Sequence, residues 1–297
     1  MKELLSNISD HIERSIGKRF TLAHHQPVYG GCINRSVSLE GDDGRKYFVK
    51  LNSCDLVDMF EAEAQGLRAI QASRAVRVPT PLCWGSHQET AYLVLEYIEL
   101  VDNVKAGTHA DLGRGLARLH RTTADNFGWY RDNTIGSTPQ KNSWKNGWVE
   151  FFAEHRLGYQ LQLAADNGAG RDTSSAGERL LIRLSGFFTD YTPVPSLLHG
   201  DLWAGNFAAD TAGQPVVFDP APYFGDREAD IAMTELFGGF DQAFYDDYSA
   251  VWPLDEGYRS RKTLYNLYHI LNHFNLFGGD YGAQAYAMIR QLLAALG

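Results

Sequence analysis

The chain has 297 residues, 44% of them hydrophobic, enough for one large domain or two smaller units with substantial cores. Its 27 basic and 36 acidic residues leave a net charge of −9, which argues against a nucleic-acid partner, since that would need a basic footprint. The three cysteines, Cys32, Cys54 and Cys83, do not resemble a secreted disulfide framework, and no apolar run approaches the roughly 20 residues that span a bilayer, so a cytoplasmic chain without membrane contact is expected.

The first ten residues carry acids where a signal peptide has basic residues. Leu4, Leu5, Ile8, Ile12 and Ile16 recur at helical spacing, which predicts an amphipathic helix over residues 2–16 that ends near Gly17. From about residue 26 to residue 51 the pattern is that of strands: Val28 to Glu40, a turn at 41–44, and a returning strand from Lys46 to Leu51. Gly30 and Gly31 fall in this strand-turn-strand unit, where glycine lets the backbone approach a phosphate and aim N–H groups at it; a bulge or tight hairpin fits the pair equally well. Lys50 ends an apolar strand about twenty residues later, the place of a phosphate-pairing lysine. A helix from Met59 to Ile70 then turns Phe60, Leu67 and Ile70 inward. Glu61 and Glu63 point to different faces, and the Leu67 and Ile70 stripe puts Glu63 towards Lys50 and Glu61 towards solvent.

Residues 76–81 form an extended connector, because each proline biases its predecessor away from helix. Leu82–Gly85 and Ala91–Ile98 read as strands, the second ending at Glu96, Tyr97 and Ile98, where backbone groups of an adenine-binding hinge would lie. Helices follow over Asp111–Arg121, Trp148–Ala165 and Ala176–Tyr191. The polar, aromatic segment 125–147 has no steady period and is expected to be a substrate-facing surface. A further helix is predicted over Tyr258–Phe277. His269 and His273 sit four apart on it, but no glutamate follows the first and no third ligand is evident, so no zinc is assigned.

Chemistry concentrates between Leu197 and Pro220. His199-Gly-Asp201-Leu-x-x-x-Asn206, followed by an apolar run ending at Asp219, repeats the spacing of a kinase catalytic loop and its metal-binding aspartate. In that pattern Asp201 receives the proton of a substrate hydroxyl, and Asn206 and Asp219 hold Mg2+. A lone His-Gly-Asp would carry little weight; two motifs in the right order carry much more. Pro220 predicts an extended backbone at Asp219, and so a metal aspartate that does not flip as a switch. Asp226 is expected to cap the helix beyond it, and Asp230 to fix the catalytic-loop backbone together with buried His199.

These motifs resemble those of the fructosamine/ketosamine kinase family, relatives of aminoglycoside and choline kinases. The resemblance is carried by Gly-Gly-Cys-Ile-Asn (30–34), Phe-Val-Lys (48–50), the segment 132–140, Leu-His-Gly-Asp-Leu-Trp-Ala-Gly-Asn (198–206), Phe-Asp-Pro-Ala (218–221) and the long motifs 225–240 and 264–279. It implies an α+β, bilobal protein-kinase-like fold: a small β-sheet N-lobe with one key helix over residues 1–98, and a larger, mostly helical C-lobe over 99–297. ATP would lie against Gly30, Gly31, Cys32, Ile33, Asn34, Lys50, Glu63 and the Glu96–Ile98 hinge. Trp203 would lie against the sugar. The implied reaction is phosphorylation of O3 of a ketosamine, small or protein-bound, after which enolisation towards C1 expels phosphate and releases the amine. The rivals are a kinase for another hydroxylated amine and a nucleotide-binding pseudokinase, and the latter is expected to lack at least one of Lys50, Asp201, Asn206 and Asp219. Cys32, in the phosphate loop, is either an inert small residue or a redox site, which would make the chain a monomer or a redox-dependent homodimer.

Overall fold

The computed structural model describes residues 1–29, 33–101 and 104–297, so Gly30, Gly31 and Cys32 lie outside the described residues. The chain separates into two compact units, Met1–Val104 with Ala208–Asp219, and Lys105–Phe207 with Pro220–Gly297. The expected division was at 98/99, in one crossing of the chain. Residues 208–219 return to the first unit because Ala209 and Asp210 pair with Val101 and Leu100, the Val217 N–H donates to the Arg77 carbonyl, and the Arg77 guanidinium bonds the Asp210 carboxylate.

The first unit opens with helix α1 (Lys2–Ile16), closed by Gly17 at a left-handed φ of 65°. Five antiparallel strands follow: β1 (Leu22–Val28), β2 (Arg35–Gly41), β3 (Lys46–Ser53), β4 (Pro81–His87) and β5 (Thr90–Glu96), in the order β1-β2-β3-β5-β4. Strand β1 begins before the expected start near residue 26. It is an exposed edge strand that needs pairing on one side only, so it shows no hydrophobic alternation and tolerates Pro27. Leu4, Leu5, Ile8 and Ile12 of α1 form one core with Val37, Leu39, Val49, Leu51, Tyr92 and Val94 of the sheet. Each of these aliphatic side chains contributes about 2 kcal/mol by leaving water. Val49 and Leu51 face α1, so strand alternation turns Lys50 to the opposite face. There helix α2 (Val57–Ser73) packs, with Phe60, Leu67 and Ile70 fully buried.

The second unit is mainly helical: α3 (Ala106–His120), α4 (Trp148–Phe152), a π-helical turn (Ala153–Gly158), α5 (Tyr159–Asp166), α6 (Arg171–Arg183), α7 (Glu228–Leu236), α8 (Gln242–Val251), α9 (Tyr258–Phe277) and α10 (Tyr281–Ala295). Asp226 was expected to cap α7; it stands one residue before the N-cap Arg227 and its carboxylate accepts the Glu228 N–H. Helix α9 lies at the centre, with buried residues on all sides from Leu264 to Asn272. Among the described residues no helix is long and apolar enough to cross a membrane.

Two buried imidazoles make this unit sensitive to acid. Burial holds His120 below its ordinary value and pushes His269 down from 6.5 to about 3. A histidine with a lower pKa folded than unfolded binds its proton more readily in the unfolded chain. The stability it permits is therefore complete above pH 6.5 and falls as pH drops towards about 3. Denaturant unfolding across this window is expected to show that decline, and a shallower one in His269→Gln; a flat profile in the parent chain would contradict it.

Candidate active site

In the first unit Lys50 is the focus. Its ammonium lies 2.5 Å from Oε1 of Glu63 and 2.6 Å from Oδ1 of Asp219. Burial opposes its charge, but the Asp219 and Glu63 carboxylates outweigh burial and hold the ammonium above its ordinary value. Glu61, two residues earlier on the helix, accepts from Gln65 instead. Asp219 remains 44% exposed, and Oδ2 has no partner among the described residues. Ile33 and Asn34 are tethered by a residue that sequence reasoning passed over: Asn52 of β3 donates to the Ile33 carbonyl (3.2 Å) and to Oδ1 of Asn34 (2.8 Å).

In this unit one expectation is narrowed and one is corrected. The Glu96 N–H donates to the Thr80 carbonyl at 2.8 Å, and its carboxylate accepts from Arg77 and from the Thr80 N–H. That backbone donor is already used by the connector, so what Glu96 could offer a hinge is its carbonyl, beside Tyr97, which lies beneath the Lys46 ammonium, and half-buried Ile98. Asp219 is not extended: its φ is +56°, in the left-handed region. Aspartate tolerates that region better than most residues, yet such a conformation costs about 1–3 kcal/mol and persists only where neighbours over-determine it. The bond to Lys50 is one such constraint.

In the second unit the loop after Leu198 is clamped through its backbone. Asp230 on α7 accepts the His199 N–H at Oδ2 (2.7 Å) and the Gly200 N–H at Oδ1 (2.8 Å), as the sequence led us to expect of it. Oδ2 also lies 3.1 Å from Nε2 of His120, and Nδ1 of that ring lies 2.8 Å from the Tyr248 hydroxyl. Neutral His120 therefore donates from Nε2 and accepts at Nδ1, and Arg227 in turn donates to Tyr248. Burial would push the Asp230 carboxyl up, but His120 and the loop N–H groups hold it below its ordinary value. Gly200 has a φ of 83°, and a Cβ there would meet the Ala221 carbonyl oxygen at 2.0 Å. The Ala221 N–H donates to the His199 carbonyl, and Nδ1 of fully buried His199 accepts the Asp201 N–H. Asn206 donates from Nδ2 to the Asp201 carbonyl (2.9 Å) and to Oδ2 of Asp201 (3.2 Å), so its amide oxygen is the atom left for a cation. Trp203 projects from the same loop, 41% exposed.

The segment 125–147 departs in part from its expected role: Tyr130 and Trp144 are exposed, but the amides of Asn133, Gln140 and Asn142 are not. It folds a short hairpin, Asn133–Ile135 with Thr138–Gln140, and buries Asn133, Thr138, Gln140 and Asn142 instead of presenting them to a substrate. The amide groups of Asn133, Gln140 and Asn142 are bonded inside the unit. Gln140 donates to Oδ1 of Asn133 (2.8 Å) and to the Ala221 carbonyl (3.1 Å), and accepts from the Tyr268 hydroxyl (2.6 Å). Asn133 donates to the Pro222 carbonyl, and Asn142 donates to Asn133. Arg156, fully buried on the π-helical turn, donates to Oδ1 of Asn142 and to the Lys141 carbonyl, both at 2.6 Å. Its guanidinium lies 3.9 Å from the Tyr223 ring centre and 4.7 Å from that of Phe151. The network thus holds residues 221 and 222, which in turn abut His199 and Gly200. The signal available in the sequence was the density of amides, which reads as a polar surface until their partners are known.

Compared with known proteins, the chain matches the model of the fructosamine kinase family over residues 4–295. It is 49% identical over 290 residues to a Synechocystis protein assigned as a ketoamine kinase, covering 96% of each chain. It is 42% identical over 283 residues to the chloroplastic protein-ribulosamine 3-kinase of Arabidopsis thaliana, covering 94% of this chain and 86% of that one. Among solved structures it is similar to a Haemophilus somnus protein assigned as a fructosamine-3-kinase, with a TM-score of 0.89, 30% identity and 98% of each chain covered. A choline kinase from Streptococcus pneumoniae, at a TM-score of 0.63 and 14% identity over 98% of each chain, shares the fold alone. The fold is the expected α+β, kinase-like one.

Gln140 gives a test of the buried network. Gln140→Leu leaves Oδ1 of Asn133, the Tyr268 hydroxyl and the Ala221 carbonyl short of a partner, and is expected to lower the unfolding free energy by about 2–4 kcal/mol in denaturant titration. A variant as stable as the parent would show that these amides find water instead.

Proposed function

The chain belongs to the fructosamine kinase family, and on that premise we propose that it is an ATP-dependent ketosamine kinase. It transfers the γ-phosphoryl group to the O3 hydroxyl of the sugar in a ketosamine such as a ribulosamine, erythrulosamine or fructosamine adduct. The observation that supports this most directly is the pairing of Asp201 with Asn206 in a loop whose backbone N–H groups end on Asp230. A carboxylate fixed in that way suits the orientation of a hydroxyl and acceptance of its proton as the O–P bond forms and ADP leaves.

Lys50 is assigned to the α and β phosphates, kept charged by Glu63 and Asp219. The amide oxygen of Asn206 and Oδ2 of Asp219 are hard oxygen donors of the kind that Mg2+ takes alongside phosphate oxygens. When bound, the ion supplies charge neutralisation on the phosphates. No protein group is needed for the later step: as the adduct enolises towards C1 the phosphate at C3 is expelled, and water hydrolyses the resulting C1 imine to free the amine. Deglycation of small or protein-bound amines is the proposed outcome.

A coupled ADP-release assay across ribulosamine, erythrulosamine and fructosamine adducts, with choline and an aminoglycoside as controls, tests the acceptor class. Turnover is expected with the ketosamines alone, and phosphorus NMR is expected to place the phosphate on O3. Asp201→Asn is expected to lower kcat by about 10²–10⁴-fold. Full ADP production by that variant would remove Asp201 as the base, and turnover of the controls alone would remove the ketosamine reading.

A further inference from the structure

Trp203 stands beside Asp201 at the head of a row of aromatic rings in the second unit. Its indole meets Phe237 edge to face at 6.4 Å between centroids; Phe237 lies 5.2 Å from the His273 ring, which lies 5.8 Å from Phe277 and 5.1 Å from Tyr281. Trp203, Phe237 and Phe277 are 41%, 44% and 58% exposed, a costly arrangement for large apolar side chains unless something covers them.

The backbone is shaped to make this row. A Cβ on Gly205 would fall 2.2 Å from the Trp203 ring, so only glycine lets the indole lie flat on its own loop. Gly239, with a φ of 96°, brings the turn after α7 onto the loop; a Cβ there would stand 2.4 Å from Cβ of Ala204. That contact sets Phe237 against Trp203. Nδ1 of His273 donates to the His269 carbonyl at 2.8 Å, which fixes the ring and, in the neutral imidazole, leaves Nε2 as an acceptor. Elsewhere in the unit exposed and buried rings carry arginines, as Trp252 does beneath Arg121 and Arg227. Among the described residues no lysine or arginine lies over Trp203, Phe237, Phe277 or Tyr281.

We propose that Trp203 and Phe237 form two walls of a cage for the protonated secondary amine of the ketosamine, and that His273, Phe277 and Tyr281 receive the group the amine carries. The inference rests on the ketosamine reading above. In a ketosamine the amine nitrogen is four bonds from O3, a reach of roughly 4–5 Å. A hydroxyl held by Asp201 therefore brings the ammonium to the near end of the row, and its substituent extends along the rest. Two exposed rings set nearly perpendicular, with a carboxylate on the same loop, suit an ammonium better than a neutral amine or amide.

The test uses the full chain with an alkylamine ketosamine as the varied substrate. Phe237→Leu keeps apolar bulk but removes the ring face; Phe237→Tyr keeps the face. For Phe237→Leu the KM for ketosamine is expected to rise about five- to tenfold, while kcat and the KM for ATP move by less than about twofold; Phe237→Tyr is expected to match the parent. Phe277→Leu is expected to raise KM for adducts of long amines and leave the methylamine adduct unchanged. An unchanged ketosamine KM in Phe237→Leu, or an equal shift in the KM for ATP, would overturn the cage. A parent enzyme that phosphorylates some other acceptor and no ketosamine would overturn the ketosamine reading itself, and the cage with it.

Discussion

One buried carboxylate organises the loop on which the chemistry is placed. Asp230 receives two consecutive backbone N–H groups, from His199 and Gly200, and the Nε2–H of His120. Those two backbone groups have no strand to pair with, because the chain turns there, and leaving them dry and unpaired would offset much of what the loop's apolar anchors Leu198 and Leu202 return. An ionised acceptor resolves both at once. Its own burial is in turn made tolerable by His120, which is held in one tautomer by Tyr248 and, behind it, Arg227. Asp201 is thus fixed at the end of a chain of hydrogen bonds that reaches well into the helical core.

The first unit reaches its polar centre by a different route. A strand with alternating faces separates the apolar contacts of Val49 and Leu51 from the single charge of Lys50 between them. Because α1 covers one face and α2 the other, the lysine must be buried, and its position is acceptable only with carboxylates from α2 and from the returning segment 208–219. The same geometry explains why the two glutamates of α2 differ so sharply: two positions along a helix turn a side chain to another face.

Much of this was legible in the sequence. The alternation through β3 and the Leu67 and Ile70 stripe of α2 were enough to select Glu63 over Glu61, and the spacing from His199 to Asp219 located the polar residues of the loop. What was not legible had a common cause. Asn133, Gln140 and Asn142 look like surface residues because polarity reports a need for hydrogen bonds and not the identity of the partner. Asp219 looked extended because Pro220 constrains its predecessor statistically, whereas its φ is settled by what the carboxylate and the flanking chain are bonded to. Glu96 kept its place at the end of β5 but not its free N–H, since the Thr80 carbonyl that takes it arrives from a connector with no pattern of its own. An edge strand such as β1 leaves no alternation to find.

Among the described residues Arg156 has no carboxylate partner: it is held by carbonyl and amide oxygens and by the rings of Tyr223 and Phe151. Dissolved salt screens attractions between exposed opposite charges, and acid removes them by neutralising the carboxylate. Neither agent has a handle on a cation held by dipoles and π electrons. Nor would lysine serve in its place, because an ammonium is neither flat enough to lie against ring faces nor forked enough to reach two oxygens at once. The part of the protein that braces Ala221 and Pro222 is thereby insulated from ionic conditions that weaken the ion pairs on its surface.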